Sequence, residues 1–462
     1  GAYSDEDLNT SYSDSDTKIE LSNGSADITG EGATFENGNI KITKAGTYVL
    51  SGEFDGQIIT EVGDEDVVHL VFNGVNITNT TSSAINAATG KKVVITLVDG
   101  TANTLSDGTS YEYADGEDEP DATLFVKNNL TINGTGSLNI DSNYATAIKA
   151  KDNLIILDSK INIDSVGKAI KGKDSVTIEN ANITINAEDD GITTDGAMVI
   201  NSGNINIEKA GEGLEGVTID INGGNIDITA TDDGINARGL IDDSATDAEK
   251  EAYGEENQAD TYLKITGGTV NINASADGID SNGQVYIDGG TVYVSGATSG
   301  PDVALDYNGK AVITGGTFVS TGVQEMAQTF DSSSTQNFIT VYYDSAVAAG
   351  SEIKVTDKDG NTVLSYNADK EFTFAVISSD KLSTGETYTV TAGDNSNKVT
   401  ITAGGNTIGE RSAGGPGGSN GNGGPGGNPP TGEPPQKPTD ANGNEIEMQG
   451  PPNGESSQTE NN

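Results

Sequence analysis

Acidic residues recur at fixed positions around short apolar segments in the middle of the chain. The repeat is about 22 residues long, so a fold with one repeat per coil would stack these side chains on one another. Counted from the central apolar residue, four of these acids occupy position −2, two occupy position +1 and three occupy neighbouring positions in the same repeats: Asp190, Glu212, Asp233 and Asp277; Glu215 and Asp280; Asp189, Asp195 and Asp232.

Stacked carboxylates need a compensating charge. Two like charges ~4 Å apart repel by about 4 kcal/mol at an effective dielectric constant of about 20. Ca²⁺ accepts roughly six to eight oxygen ligands in irregular geometry, so it is the simplest compensation, and we predict that these nine residues bind Ca²⁺. The alternative is that they are solvated turn residues, because Asp-Gly is a common turn dipeptide.

Basic residues occupy the same columns in the two preceding repeats. They are Lys149, Lys168, Lys171 and Lys173. One interpretation is that Lys168 and Lys171 form ion pairs with Asp190 and other acids one coil away. The other is that the lysines and Ca²⁺ together bind the carboxylates of an acidic polysaccharide, with Asp306 and Tyr307 extending the site at the far end.

The elements that position these residues are short strands. The central apolar residues of six repeats are 22, 22, 22, 21 and 44 residues apart: Ile148, Ile170, Ile192, Leu214, Ile235 and Ile279. Each repeat contains three short segments in which polar and apolar residues alternate, as expected of strands with one buried face. No helical periodicity lies between them. This predicts an all-β fold, a right-handed parallel β-helix, which is a solenoid with three short strands per coil of about 22 residues.

The chain divides by composition into four parts. We predict a flexible leader over 1–35, the β-helix over 36–335, a C-terminal β cap or small β module over 336–403, and a disordered Gly/Pro-rich tail over 404–462. The doubled interval of 44 residues contains an acidic insertion, from Leu240 to about Tyr262, with a short helical pattern.

Composition excludes several classes of function. The formal charge of −47 disfavours nucleic acid and anionic lipid as partners. The chain has no cysteine, and its one histidine, His69, lies in an apolar strand, where a structural role is expected. Catalysis by thiolates is therefore excluded, and catalysis by Ser-His-Asp is not expected. No apolar segment is long enough to span a membrane. The acidic β composition without cysteine predicts a secreted, monomeric protein.

Several segments together resemble the bacterial surface proteins known as carbohydrate-binding domain-containing proteins. They are 46–52, 70–78, 262–279, 313–317 and the repeated Asp-Asp-Gly-Ile units, and the resemblance covers roughly 40–403. It implies a right-handed β-helix related to family 9 pectate lyases, Ca²⁺ binding, and attachment to plant-type glycans such as cellulose or pectin at the cell surface. Members are often lipoproteins, but the cysteine that would carry the lipid is absent here.

Three functions remain open at this point. The first is non-catalytic, Ca²⁺-dependent binding of a polysaccharide, acidic and pectin-like rather than cellulosic, because aromatic residues make up only 5% of the chain and tryptophan is absent. The second is a polysaccharide lyase that acts by β-elimination, with Lys171 or Lys149 as the base and no arginine expected nearby. The third is an adhesive surface scaffold stiffened by Ca²⁺.

Overall fold

The computed structural model describes residues 3–242 and 244–412 of the chain. These residues contain two helices, α1 (Asp5–Leu8) and α2 (Asp247–Glu255). Neither is long and apolar enough to cross a bilayer. The N-terminal strands are β1 (Thr17–Asn23), β2 (Ser25–Thr29), β3 (Ala33–Glu36), β4 (Asn39–Ile42), β5 (Gly46–Asp55), β6 (Ile58–Thr60), β7 (Val67–Asn79), β8 (Ile85–Ala87), β9 (Lys92–Leu97) and β10 (Ala102–Asp107).

The regular repeats form twenty-four short strands. They are β11 (Ala122–Val126), β12 (Asn129–Asn133), β13 (Ser137–Ser142), β14 (Thr146–Ala150), β15 (Asn153–Leu157), β16 (Lys160–Ser165), β17 (Ile170–Gly172), β18 (Ser175–Glu179), β19 (Ala181–Ala187), β20 (Ile192–Thr193), β21 (Ala197–Ile200), β22 (Gly203–Ala210), β23 (Leu214–Gly216), β24 (Thr218–Ile221), β25 (Asn225–Ala230), β26 (Ile235–Ala237), β27 (Tyr262–Ile265), β28 (Thr269–Ala274), β29 (Ile279–Ser281), β30 (Gln284–Ile287), β31 (Thr291–Ser295), β32 (Leu305–Tyr307), β33 (Ala311–Ile313) and β34 (Thr317–Gly322).

Seven strands follow in the C-terminal part. They are β35 (Phe338–Val347), β36 (Glu352–Thr356), β37 (Thr362–Asn367), β38 (Phe372–Ser379), β39 (Thr387–Ala392), β40 (Asn395–Thr400) and β41 (Gly405–Ile408). The described chain is therefore all-β apart from two short helices, as the alternating sequence pattern predicts.

Strands one repeat apart pair in parallel and form three ladders. Ladder A contains β11, β14, β17, β20, β23, β26, β29 and β32, and it continues through β8 and β6 to β4 and the antiparallel β3. Ladder B runs from β9 and β12 through every third strand to β33. Ladder C runs from β10 and β13 to β34. The result is a β-helix-like solenoid of long parallel sheets.

The alternation of the strands fills the space between the ladders. The residues paired along ladder A include Ile170, Ile192 and Leu214, each fully buried, while their neighbours at the next position form the column of charged and polar residues. Each coil rises by about 4.8 Å, the spacing of paired strands. The core is therefore a continuous stack of Ile, Val and Leu, and polar columns run along its outer faces.

The segment predicted as a leader carries regular structure instead. Helix α1 packs on ladder B, where Asp7 is buried and its Oδ1 lies 2.6 Å from Lys92 Nζ and accepts a hydrogen bond from Thr131 Oγ1. Strand β1 pairs in parallel with β5 and antiparallel with β2. Strands β1 and β2 cover the N-terminal end of the solenoid, which would otherwise expose sheet edges.

At the C-terminal end the parallel pattern gives way to antiparallel pairing. Strand β38 pairs with β34 and β35, and β36, β37, β39 and β40 form a separate antiparallel sheet over a second apolar core. Strands β36 and β37 form a hairpin around the Asp359-Gly360 turn. Strand β41 falls within the segment predicted as a tail, and the prediction for 413–462 lies outside the described residues.

Candidate metal centre

The acidic columns predicted from the repeat are stacked in the structure. Along position −2, the amide that follows each acid donates to the carbonyl of the next acid in the column, Gly191 N to Glu212 O at 2.8 Å and Gly213 N to Asp233 O at 3.1 Å. The same bond joins Gly234 N to Asp277 O at 2.9 Å. Along position +1, the backbone partners follow one another without a gap: Lys149, Lys171, Thr193, Glu215, Asn236, Asp280 and Asp306.

Glycine at the next position makes this close stacking possible. A Cβ atom on Gly191, Gly213, Gly234 or Gly278 would lie between 2.5 and 2.6 Å from a carbonyl oxygen of the next coil. Real Cβ atoms do not approach backbone oxygens so closely. The acid-glycine pairs therefore mark where the backbones of successive coils come together, and the preceding acids are held one above another.

The first acid group consists of Asp190, Glu212 and Glu215, whose carboxylate oxygens lie within 4.8 Å of one another. Asp190 Oδ1 accepts the backbone amide of Glu212 at 2.9 Å, and Glu212 Oε1 accepts Asn236 Nδ2 at 2.9 Å. Glu215 is buried, and its Oε1 accepts Arg238 Nη2 at 3.1 Å. One oxygen of Glu212 and one of Glu215 thus have a protein donor, while both oxygens of Asp190 do, because Lys168 Nζ donates to Oδ2.

The second acid group consists of Asp233, Asp277 and Asp280, again with carboxylate oxygens within 4.8 Å of one another. Asp233 Oδ1 accepts the amide of Asp277 at 2.9 Å, and Asp277 Oδ1 accepts the amide of Val303 at 2.7 Å. Asp277 is buried. Each group spans two coils, and the two groups follow one another along the column, because Glu212 and Asp233 are neighbours in it.

Burial and mutual repulsion disfavour the charged forms of these acids. Burial, followed by the contact with Glu215, raises the pKa of Glu212 to about 9. Burial raises the pKa of Asp233 and that of Asp277 to about 7 against the effect of their backbone hydrogen bonds, and nearby carboxylates add to the rise. Burial and the charges of Asp233 and Asp277 raise the pKa of Asp280 to about 8.

Glu215 is shifted in the opposite direction. Burial alone would raise its pKa, but the hydrogen bond with Glu212 and the charge of Arg238 together lower it. In the absence of a cation, the first group therefore keeps its negative charge on Glu215 and holds a proton on Glu212.

Two buried oxygens leave room for a cation in the first group. Among the described residues, no group donates a hydrogen bond to Glu212 Oε2 or to Asn236 Oδ1. An unpaired buried oxygen costs free energy, and carboxylate and amide oxygens are ligands that Ca²⁺ prefers. Asp190, Glu212, Glu215 and Asn236 would hold one ion, and Asp233, Asp277 and Asp280 a second. A bound ion would supply positive charge for an anionic ligand.

Three predicted metal ligands lie outside the two groups. Asp189 has a side chain that is 55% exposed and lies 3.7 Å from Lys168 Nζ. Asp232 is exposed to solvent. Asp195 Oδ1 lies 3.3 Å from Lys171 Nζ. These acids occupy turns beside the columns, as the solvated-turn alternative describes.

The lysines are engaged in ion pairs with acids from neighbouring turns and coils. Lys168 contacts Asp190, Lys171 contacts Asp195, and Lys149 Nζ lies 2.6 Å from Asp121 Oδ2. The structure therefore agrees with the ion-pair interpretation for Lys168 and Lys171, while Lys173 is exposed.

Asp306 and Tyr307, at the far end of the column, are partly buried. Asp306 follows Asp280 in register, and burial raises its pKa. The Tyr307 hydroxyl donates to the Thr329 carbonyl, and its ring packs against the main core. Tyr307 therefore packs in the wall of the solenoid and is also partly exposed at its surface.

Arg238 is the residue that sequence reasoning missed. The sequence predicts no arginine near the site, but Arg238 lies 3.1 Å from Glu215, three positions after the central apolar residue of its repeat. That position matches Asp195 in an earlier repeat, so the register could have revealed it. Asn236 was placed in the column by the repeat, but its role as an additional oxygen ligand becomes evident only from its buried amide.

Two known proteins are similar to parts of this chain. A relative from Acetivibrio thermocellus, described as a carbohydrate-binding domain-containing protein, is 38% identical over 135 residues, which is 29% of this chain and 47% of the relative. The match thus spans about half the length of that relative. A solved structure described as a polysaccharide lyase-like protein from C. thermocellum, gadolinium derivative, is 28% identical, with a TM-score of 0.39, and the match covers 65% of this chain and 97% of that one.

The family itself is identified by a match over most of the solenoid. The model of the carbohydrate-binding domain-containing proteins matches residues 36–303, more than half of the chain, and this range includes both acid groups. The chain therefore belongs to the family of carbohydrate-binding domain-containing proteins.

Proposed function

We propose that this chain binds polysaccharide at the bacterial cell surface through Ca²⁺ held by the two acid groups. The observation that carries the proposal is the pair of unsatisfied buried oxygens, Glu212 Oε2 and Asn236 Oδ1, among carboxylates stacked on consecutive coils. Membership of the carbohydrate-binding family supports a polysaccharide as the partner. The proposal includes a right-handed, closed solenoid that is secreted as a monomer and attached to the cell surface.

An acidic, pectin-like glycan fits this surface better than cellulose. Protein carboxylates fill only part of the coordination that Ca²⁺ accepts, so a ligand carboxylate can complete it. Stacking of neutral sugars needs exposed aromatic rings, and the chain has no tryptophan and an aromatic content of 5%. The overall negative charge would repel an acidic glycan, and a bound divalent cation removes that repulsion locally.

The proposal is tested by retention of the full chain on immobilised polygalacturonate and on cellulose. We expect retention on polygalacturonate in CaCl₂ and release by a chelator. Glu212→Gln is expected to weaken retention, whereas Glu208→Gln, which removes an exposed acid from the same coil, is the matched control. Equal retention with Ca²⁺ and with chelator would contradict the role of the metal, and no retention on either polymer would favour the scaffold function.

A polysaccharide lyase is the second candidate, favoured by the lysines that share a column with the acid groups. β-Elimination needs a cation to acidify the uronate and a neutral base to remove the proton at C5. Lys149 and Lys171 are each engaged with a carboxylate and would have to leave it to act as the base. Growth of the ultraviolet absorbance of unsaturated products from polygalacturonate and Ca²⁺ would establish this activity in place of binding alone.

A further inference from the structure

The insertion between β26 and β27 is fixed on ladder A by polar contacts. Gln258 Nε2 donates to Tyr253 O at 2.9 Å, and Gln258 Oε1 accepts Gly239 N at 2.5 Å. From the following coils, Asn282 Nδ2 donates to Gly254 O at 3.0 Å and Asn308 Nδ2 to the same oxygen at 2.6 Å. Helix α2 buries none of its residues. The insertion therefore adds nothing to the core, and its ordered position indicates another role.

Two adjoining cavities separate the insertion from the ladder. One has a volume of about 720 Å³ and the other about 620 Å³, and both are lined by Asp195, Gly239, Leu240 and Tyr253. Together they form a groove beside the first acid group. Each cavity falls within the size range of small-ligand sites, about 300–1,000 Å³.

The larger cavity concentrates positive charge in a chain that has little of it. Lys171, Arg238 and Lys250 line it together with only two acids, Asp195 and Asp242, although the chain has 24 basic residues against 71 acidic ones. Lys171 forms an ion pair with Asp195, so Arg238 is the main cation of this cavity toward a ligand. Arg238 gives one N–H group to Glu215, and its side chain remains 51% exposed. A guanidinium carries five N–H donors, so others remain for a ligand. The smaller cavity is lined instead by the neutral amides Asn257 and Gln258 and by the acids Asp195, Glu256 and Asp260.

The groove also offers apolar surface at the point where its two halves meet. Leu240 is 57% exposed, and the Tyr253 ring is half-buried beside it. A sugar acid has one carboxylate, several hydroxyls and an apolar face of C–H groups. Arginine binds carboxylates through two parallel hydrogen bonds, while a leucine and a tyrosine ring suit the C–H face.

We propose that this groove is the subsite for a uronic acid unit of the glycan, with Arg238 and Lys171 on the carboxylate and Tyr253 and Leu240 under the ring. The inference rests on the proposed function, since it assigns the place at which that glycan is recognised. The insertion then determines specificity. The larger cavity, with Arg238, binds an acidic sugar unit, and the smaller cavity, lined by amides and acids, binds an uncharged one.

The test measures binding of tetragalacturonate and of cellotetraose to the full Ca²⁺-loaded chain by calorimetry. Arg238→Gln is expected to weaken tetragalacturonate binding roughly tenfold, ~1.4 kcal/mol, and Tyr253→Ala by a similar factor, with cellotetraose little affected by Arg238→Gln. Lys310→Gln removes an exposed charge outside the groove and is expected to stay within about twofold of wild type. Ca²⁺ affinity is measured on each variant without glycan, because Arg238 also contacts Glu215.

The outcomes separate the two proposals. Unchanged tetragalacturonate affinity in both Arg238→Gln and Tyr253→Ala, in a wild-type chain that binds it, overturns the groove and leaves Ca²⁺-dependent binding elsewhere intact. Equal losses for both oligosaccharides in Arg238→Gln overturn the assignment to an acidic sugar. A wild-type chain that binds neither compound in Ca²⁺ overturns the groove and the proposed function together.

Discussion

The two oxygens of each stacked aspartate have different roles. Asp190, Asp233 and Asp277 each use Oδ1 to accept a backbone amide from the next coil. This bond orients the carboxylate along the column and explains why an acid is useful there even without a ligand. The second oxygen is left for a neighbouring side chain or an ion. The structural and the metal-binding interpretations of these residues are therefore compatible.

Glu212→Gln is expected to have opposite effects on stability with and without Ca²⁺. In chelator at pH 7, the folded chain must bury the Glu212 charge or take up a proton, since its pKa is raised to about 9. Glutamine removes that cost, so the free energy of unfolding should rise by an amount on the order of 1–3 kcal/mol. With Ca²⁺ the same change removes a charged ligand and should weaken the ion's affinity roughly tenfold.

Chemical unfolding in EDTA and in CaCl₂, together with calorimetric titration of Ca²⁺, measures both effects. Glu208→Gln serves as the control on the same coil. If Glu212→Gln destabilises the chain in EDTA, the charged Glu212 carboxylate must have a favourable partner outside the first acid group.

The second acid group makes the metal-free chain sensitive to alkali. Asp233 and Asp277 have pKa values raised to about 7, and Asp280 to about 8, so between pH 4 and 8 the folded chain binds more protons than the unfolded chain. Their contribution to the free energy of unfolding therefore falls as pH rises through this interval and is constant above it. Excess Ca²⁺ should reverse the trend, because protons compete with the ion for the same oxygens.

Thermal unfolding in EDTA at pH 5.5 and pH 8.5 measures this dependence. The wild type should lose more stability between the two values than a chain with Asp233→Asn, Asp277→Asn and Asp280→Asn combined. The same loss in both chains would show that the pH dependence arises elsewhere among the many acids.

At the residue scale, the sequence predicted backbone positions better than side-chain partners. Register alone placed Glu215 beneath Asn236 and Asp280, because strand pairing repeats with the coil. Register also places Arg238 at the position that Asp195 holds in an earlier repeat, but it does not show which acid the guanidinium contacts, because that depends on the conformation of a long side chain. The sequence predicted both Asp232 and Asp233 as metal ligands, but only Asp233 belongs to the second acid group.

At the scale of the elements, a column of glycines sets the spacing of ladder A. These glycines are Gly191, Gly213, Gly234 and Gly278, and each follows an acid. None has a positive φ angle, so glycine is needed here only because the backbone of the next coil lies against its Cα. At Gly213, a Cβ atom would lie 2.5 Å from both Gly234 O and Ile228 Cγ2. A side chain here would have to push the coils apart at the acid groups.

Gly213→Ala is accordingly expected to destabilise the chain by about 1–3 kcal/mol, the usual cost of overpacking a close-packed core. It should also weaken Ca²⁺ binding, because it separates Glu212 and Glu215 from the next coil. Thermal unfolding and Ca²⁺ titration measure both, with Gly24→Ala as control, since a Cβ atom there meets nothing within 4 Å. A Gly213→Ala chain with wild-type stability and Ca²⁺ affinity would contradict this account of the spacing.

The elements that the sequence did not predict lie where the repeat is absent. Strands β5 and β7 are 10 and 13 residues long, and β7 pairs with both β9 and β10, which joins ladders B and C into one sheet. Segment 1–35 is polar, and composition alone suggested a flexible chain. Its order comes from long-range contacts such as Asp7 with Lys92, which no local pattern reveals.

At the scale of the whole molecule, the excess of acid is larger than its own cations can neutralise. The chain has 71 acidic and 24 basic residues, and the partly buried Lys92 and Lys168 are already engaged with acids. Self-repulsion of this size destabilises a compact chain unless ions from solution reduce it. Screening by salt and specific binding of a cation should therefore both stabilise the solenoid. Specific binding is expected to act at a lower ion concentration than screening.

CaCl₂ at about 1 mM is expected to raise Tm by several degrees above that in NaCl of equal ionic strength. An ion bound only by the folded chain adds about 2.7 kcal/mol per site at a hundredfold excess over its Kd, whereas screening depends on ionic strength alone. MgCl₂ should be less effective, because Mg²⁺ demands octahedral geometry and gives up water reluctantly, and the acid groups offer irregular oxygens from separate coils. The readout is calorimetric unfolding of the full chain in each salt. If Glu212→Gln combined with Asp280→Asn keeps the full Ca²⁺ effect, the ion acts elsewhere on the acidic surface; if Tm depends only on ionic strength, the columns hold no specific metal.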